Sequence, residues 1–144
     1  MPRYDATLNQ MVRSDDQGDI QTIRTRFTAA QINSGATLLA AVPGFAYRLI
    51  DVTLIAIGGA ASGATDVRVL GTRSAGSVAL IVAAVAALTQ SAIVKPNSAN
   101  VTVLADGATF TPLDVNTAVT IGKTGGSLAT ATHVDVIANY VLEG

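Results

Sequence analysis

The chain has 144 residues, of which 49% are hydrophobic and 13% charged, with a formal net charge of −1 at pH 7 and no cysteine. That length suits one domain with a core of its own; the missing cysteines exclude disulfide frameworks, thiolate zinc sites and thiol nucleophiles. The charge balance gives no basic field of the kind that marks nucleic-acid binders, and the charged fraction is about half of the roughly 25% typical of soluble domains.

Charge is also unevenly placed. Eight of the nineteen charged residues (Arg3, Asp5, Arg13, Asp15, Asp16, Asp19, Arg24 and Arg26) fall in the first 26 positions. Residues 1–19 have no strand or helix period and end in SDDQGD, which reads as an extended N-terminal arm. The opening MPRYDATLNQMVRSDDQ has neither the apolar segment nor the small-residue cleavage site that export requires, so a chain made and used without secretion is expected. Residues 20–144 read as a single domain. A body so poor in charge is covered either by Ser, Thr, Asn, Ala and Gly or by sister subunits, whose contact cores are depleted of charge.

From Ile20 the pattern is strand-like, with Ile23, Thr25 and Phe27 alternating against Arg24, Arg26 and Thr28. Thr28 to Gln31, TAAQ, has the form of a capping box and predicts one helical turn ending by Ser34-Gly35. Pro43-Gly44 then suits a type II turn. The long strand beyond it sets Ile50, Val52, Leu54 and Ala56 on one face and Asp51 and Thr53 on the other. GGAASGA reads as a loop, and DVRVLGT resumes the alternation with Val67 and Val69 inward.

Between Arg73 and Lys95 there is no charge, and eleven consecutive residues from Val78 to Leu88 are apolar. A membrane span needs about 20 predominantly apolar residues, so this run is too short. It is read as a strand, SVALIV, covered on both faces, then a tight turn or short helical segment through AAVAALTQ, then a strand SAIV. Its second face needs an apolar cover, and Val78, Leu80, Ile81 and Val82 are the candidate subunit contact: the first, second and last on one face, Ile81 on the other. The remaining predicted strands are NVTVL, TAVTIG and THVDVIANYVLE, with KPNSAN, LADGAT and GKTGGS as the turns between them. In the last strand Val134, Val136, Ala138, Tyr140 and Leu142 face one way, and His133, Asp135, Asn139 and Glu143 the other.

The whole is an all-β chain, an antiparallel β-sandwich or jelly roll of about eight strands with one or two short helical turns. Long helices alternating with strands, the mark of a parallel sheet, are missing.

Catalytic chemistry has little to work with. The chain holds one histidine and one glutamate, and His133 opens a strand on its polar face, as solvated histidines do. TIGKTGG resembles a phosphate loop but has Thr117 where the first glycine belongs, and it reads as a hairpin turn bearing a lysine. Gly59 and Gly63 have G-x-x-x-G spacing inside a loop rather than a helix. Asp106, Asp114 and Asp135 belong to no dense calcium loop. No enzyme, cofactor, metal or small-molecule substrate is expected. Glycan binding relies on exposed aromatics, for which Tyr4 and Tyr47 are the candidates.

The segments TRFTAAQINSGATLLAAVPGFAYRLIDVTLIAIGG and LADGATFTPLDVNTAVTIGKTGGSLATATHVDVIANYVLEG, about half of the chain, join alternating strands by Ala-, Gly- and Thr-rich turns and close on a strand containing a Tyr. In texture and order they resemble the small β-sandwich decoration, or cement, proteins of tailed-bacteriophage capsids. That resemblance implies a homotrimer on the outer capsid surface, made in the host cytoplasm and clamping neighbouring major capsid proteins, with no membrane and no nucleic acid among its partners. It also implies a terminal segment ordered on the capsid, for which Arg3, Tyr4, Arg13, Asp15 and Asp16 are the candidates. The alternative is a head-fibre or tail component, or a host-glycan-binding β-sandwich module.

Overall fold

The first strand forms where the alternation predicts it. β1 spans Gln21–Thr28, with Phe27 buried and Arg24 and Arg26 exposed. Thr28 then ends the strand and starts a helix: its hydroxyl accepts from the Gln31 amide at 3.1 Å, and its own amide donates to Oε1 of Gln31 at 2.8 Å. Both opening donors are thereby satisfied. This helix, α1 (Ala29–Ser34), buries Ile32 and stops at Gly35, whose φ of 79° suits an achiral residue.

The computed structural model describes residues 19–144. The predicted arm, apart from Asp19, and its candidates Arg3, Tyr4, Arg13, Asp15 and Asp16 lie outside the described residues. After α1 come β2 (Ala36–Leu39), β3 (Ala46–Ile57), β4 (Ser62–Arg73), β5 (Gly76–Ala84), β6 (Val101–Val103), β7 (Val119–Ala129) and β8 (His133–Glu143). Short 3-10 segments stand at Val85–Ala87 and Ala105–Phe110. The Pro43-Gly44 turn is present, with Gly44 at φ 82° and the Phe45 amide donating to the Val42 carbonyl at 3.1 Å.

The strands make a three-stranded sheet, ordered β1-β8-β3, and a five-stranded sheet, ordered β2-β7-β4-β5-β6, with every pairing antiparallel. This is an all-β sandwich with the strand order of a jelly roll. A complete jelly roll would set its sixth strand beside its third. Here that place is held by residues 90–94, where the Leu54 and Val94 amides exchange bonds with each other's carbonyls at 2.8 and 2.9 Å and the Ser91 amide donates to Ala56. SAIV is therefore an extended segment joined by bridges rather than the full strand predicted, and β6 extends the opposite sheet.

The core lies between the sheets. Val134, Val136 and Ala138 of β8 and Val52, Leu54 and Ala56 of β3 meet Val67 and Val69 of β4, Ile81 and Ala83 of β5 and Val119 and Ile121 of β7. Each fully buried Val, Leu or Ile is worth about 1.5–3 kcal/mol. The open side between β3 and β5 is closed by residues 85–117, which bury Leu88, Val94 and Leu113. Thr109 fixes that excursion, its hydroxyl donating to the Leu80 carbonyl at 2.7 Å and accepting from the Leu104 amide at 2.8 Å.

Two β-bulges change the predicted facing of side chains. In β3, Leu49 stands opposite Tyr140 and Asp51 opposite Asn139, so Ile50 is the extra residue. Tyr47 and Leu49 are the inward residues before it, and Ile50 is only half-buried. In β5, Ile81 faces Val69 and Ala79 faces Leu70, which leaves Leu80 as the extra residue. Leu80 and Ile81 are both buried in this chain's own core, and Val78 packs against that core. Of the four residues expected at a subunit contact, only Val82 remains on the outer face.

GKTGGS is no hairpin turn: Gly122, Lys123 and Thr124 lie within β7, and Lys123 Nζ donates to the Gly125 carbonyl at 2.9 Å. GGAASGA is likewise shorter than a seven-residue loop, because β4 already begins at Ser62. There the backbones of β4 and β7 come close together. Gly63 has φ 83°, a Cβ on it would strike the Ser127 carbonyl, and one on Gly126 would stand 2.7 Å from the Gly63 carbonyl oxygen. Gly63→Ala is expected to lower unfolding free energy by about 1–3 kcal/mol from backbone strain alone. Urea denaturation should show a reduced midpoint at unchanged slope, with a smaller loss for Gly107→Ala, where nothing lies within 4 Å of the added carbon.

Candidate interaction surfaces

Because side chains alternate along a strand, each sheet of the sandwich has an outer face as well as a core face. The two outer faces differ in chemistry. On the three-stranded sheet the inward set Val134, Val136 and Ala138 leaves His133, Asp135, Ile137 and Asn139 outward. Register places Arg26 beside Asp135 with Ile55 on its other side, Arg24 beside Ile137 with Thr53 beyond, and Thr28 beside His133 with Ile57 beyond.

Asp135 is the centre of this face. Arg26 grips it with Nε to Oδ1 at 2.7 Å and Nη2 to Oδ2 at 3.1 Å, while Arg24, one row along, donates Nη2 to Oδ2 at 2.7 Å. The carboxylate side chain is 1% exposed and the two arginine side chains 53% and 60%. The Arg26 hydrogen bonds hold the carboxyl at about 2, with burial opposing and Arg24 adding to the effect. The same contact raises the Arg26 guanidinium. Further along the face the charges are paired: Arg48 Nε with Glu143 Oε1 at 2.6 Å, and Lys95 Nζ with Asp51 Oδ2 at 3.8 Å.

Among the described residues, the outer face of the five-stranded sheet is nearly without charge. Register aligns Asp66 with Ala84 and Thr124, Arg68 with Val82 and Gly122, and Leu70 with Ala79 and Thr120. The two charges on these rows bind each other, Arg68 Nε and Nη2 donating to Asp66 at 2.9 and 3.2 Å. Burial works to raise the Asp66 carboxyl, but bonds from Arg68 and Thr124 and the Arg68 charge outweigh it and lower it. Beside this pair lie half-buried Leu70, Ala79, Val82 and Ala84.

The other candidate groups are not brought together. Asp114 accepts from the Ser74 and Ala75 amides at 3.1 and 2.8 Å, which secures the β4–β5 hairpin where both residues have positive φ. Asp106 sits at the kink of the second 3-10 segment, and Asp135 belongs to the arginines. Among the described residues no three carboxylate or imidazole groups gather as a metal site. No helix among them is long and apolar enough to cross a membrane.

Tyr47 is not available as a glycan platform. It is buried at 5% exposure, stacks edge-on against Tyr140 with centroids 5.4 Å apart, and donates its hydroxyl to the Ala40 carbonyl at 2.5 Å. Burial, then the Tyr140 neighbour, push its hydroxyl up to about 12. Tyr4 lies outside the described residues. The sequence does not by itself pair Arg24 and Arg26 with Asp135, although the matching alternation of the two strands is the signal that sets all three on one face.

The Asp135 cluster has a pH signature. Its folded-state value lies below the ordinary 3.8, so its stabilisation is complete above about pH 4 and is lost as pH falls through about 2. Acid titration of unfolding should show a loss of about 1–2 kcal/mol across that window, allowing for screening at the half-exposed guanidiniums. Asp135→Asn should remove most of that dependence, as measured by urea unfolding at a series of pH values. Compared with known families, curated proteins and solved structures, the chain matches no family model, no curated protein and no solved structure.

Proposed function

We propose that this chain is a structural virion protein: a homotrimer that decorates an icosahedral phage capsid and cements neighbouring major capsid proteins, without catalysis. The observation that carries this reading is the outer face of the five-stranded sheet, where Leu70, Ala79, Val82 and Ala84 surround a self-neutralised Asp66–Arg68 pair. A face of mostly small side chains with no unpaired charge among the described residues suits contact with copies of itself, since interface cores are depleted of charge. The face on the other sheet keeps its ionic groups and is left for solvent or for a different partner.

A decorating role also fits the chemistry on the page. Asp114 secures a hairpin, Asp135 ties β8 to β1 and Asp66 neutralises Arg68, which are the uses expected of a scaffold. Repetition on a lattice multiplies weak contacts through effective concentration, so each subunit needs only modest affinity. The low charge of the body and its resemblance in texture to capsid cement proteins support the same reading.

Native mass and capsid binding test it. Sedimentation equilibrium should give three times the 14.6 kDa chain mass. Val82→Arg should reduce that to the monomer while circular dichroism stays unchanged, because an arginine buried unpaired in a contact costs about 3–5 kcal/mol. The trimer should co-sediment with expanded heads and raise their melting temperature. A monomer that fails to co-sediment would overturn the reading.

A further inference from the structure

We propose that the outer face of the three-stranded sheet is a docking site for an extended acidic segment of a partner protein, one that carries a carboxylate and an apolar side chain close together. The inference rests on the reading above in assigning the five-stranded face to sister copies, which leaves this face for the neighbour in the particle. Its basis is an imbalance of charge. Among the described residues, four cations (Arg24, Arg26, Arg48 and Lys95) meet three carboxylates (Asp135, Glu143 and Asp51) in ion pairs on this face, and the excess sits at Arg24 and Arg26, which share one acceptor.

That pair is held ready. The buried Asp135 accepts from both guanidiniums, so their positions are set before any partner arrives. Arg24 Nε and Nη1 and Arg26 Nη1 bond to nothing among the described residues, and both side chains are more than half exposed. Planar guanidiniums with open N–H groups are suited to a further carboxylate.

Beside the arginines lie apolar side chains, on a face that also carries ionic, hydroxyl, imidazole and amide groups. Ile55 is in the Arg26–Asp135 row, Ile137 beside Arg24, and Ile57 in the His133 row; all three are half-buried. Strand spacing puts the β1 cations about 10 Å from the β3 isoleucines. An extended segment with an acidic and an apolar residue two or three positions apart reaches both. The charge excess is too small for a polyphosphate, which is bound by many cations acting together. A lipid surface would require a basic cluster on a large apolar face.

The test is methyl and arginine Nε NMR of the full chain, titrated with an alternating Glu-Leu octapeptide, an all-Glu octapeptide, a Lys-Leu octapeptide and a single-stranded DNA oligonucleotide. Native mass is measured on the same samples. The Glu-Leu peptide should shift the Ile55, Ile57 and Ile137 methyls and bind more tightly than the all-Glu peptide, with no binding by the Lys-Leu peptide.

Arg24→Gln, which leaves Arg26 on Asp135, should weaken binding roughly tenfold through loss of one charge-assisted contact. Ile57→Thr, which changes no charge, should weaken it several-fold and keeps the test open if the first variant unfolds. Equal binding of the two acidic peptides, tighter binding of the DNA, or unchanged affinity in folded Arg24→Gln would each overturn the proposal. A monomeric native mass with intact peptide binding would count against the trimer and leave this site standing.

Discussion

β8 pairs with β1 along one edge and β3 along the other, and its strict alternation decides both faces of the sheet. Val134, Val136 and Ala138 are completely buried, and the same geometry drives Asp135 outward between them. A carboxylate so placed, at a side-chain exposure of 1%, is tolerable only if it is paired. Arg24 and Arg26 meet that requirement from β1, and the pairing ties an edge strand to the centre of the sheet. Removal of the arginines would leave a buried charge without compensation; removal of the carboxylate would leave two guanidiniums in close repulsion.

The edge itself needs such a device. Among the described residues β1 has a neighbour on one side only, and charged side chains on an edge strand discourage unwanted pairing. At the far edge of the same sheet, residues 90–94 cover β3 with a few backbone bonds, and the excursion through residue 117 seals the sandwich. The protein thus closes one side with a short helix and the other with irregular chain anchored by Thr109 and Asp114. Both are small polar side chains bonded to backbone groups, Thr109 at the β5 bulge and Asp114 at the β4–β5 hairpin.

How legible this was in the sequence depended on whether a local rule could be read without its neighbours. The capping box at Thr28 and Gln31, the turn at Pro43-Gly44, and the alternation of β1, β4 and β8 all emerge from contacts a few residues apart or from a fixed period of two. Elsewhere a partner strand decides. Nothing in YRLIDV reveals that Ile50 is an extra residue, because a bulge is defined by the register with β8. Leu80 is the same case against β4, and it changed a supposed contact residue into a core residue. The glycines around Lys123 suggest a turn, yet β4 pairs with Gly122 to Gly125 and holds this segment extended.

The uncharged run from Ser74 to Val94 shows the division most clearly. Its short continuous apolar length already argued against a spanning helix, and its lack of a polar face already required cover on both sides. Composition and period determined an all-β chain, a low-charge body and the strands that bound the core, since these depend on residue type and local geometry. Tertiary structure alone decided that Leu80 and Ile81 turn inward while Val82 stays out, that Tyr47 is buried, and that two arginines converge on Asp135. Each of those outcomes is fixed by cross-strand register, a relation between distant residues that no stretch of sequence contains by itself.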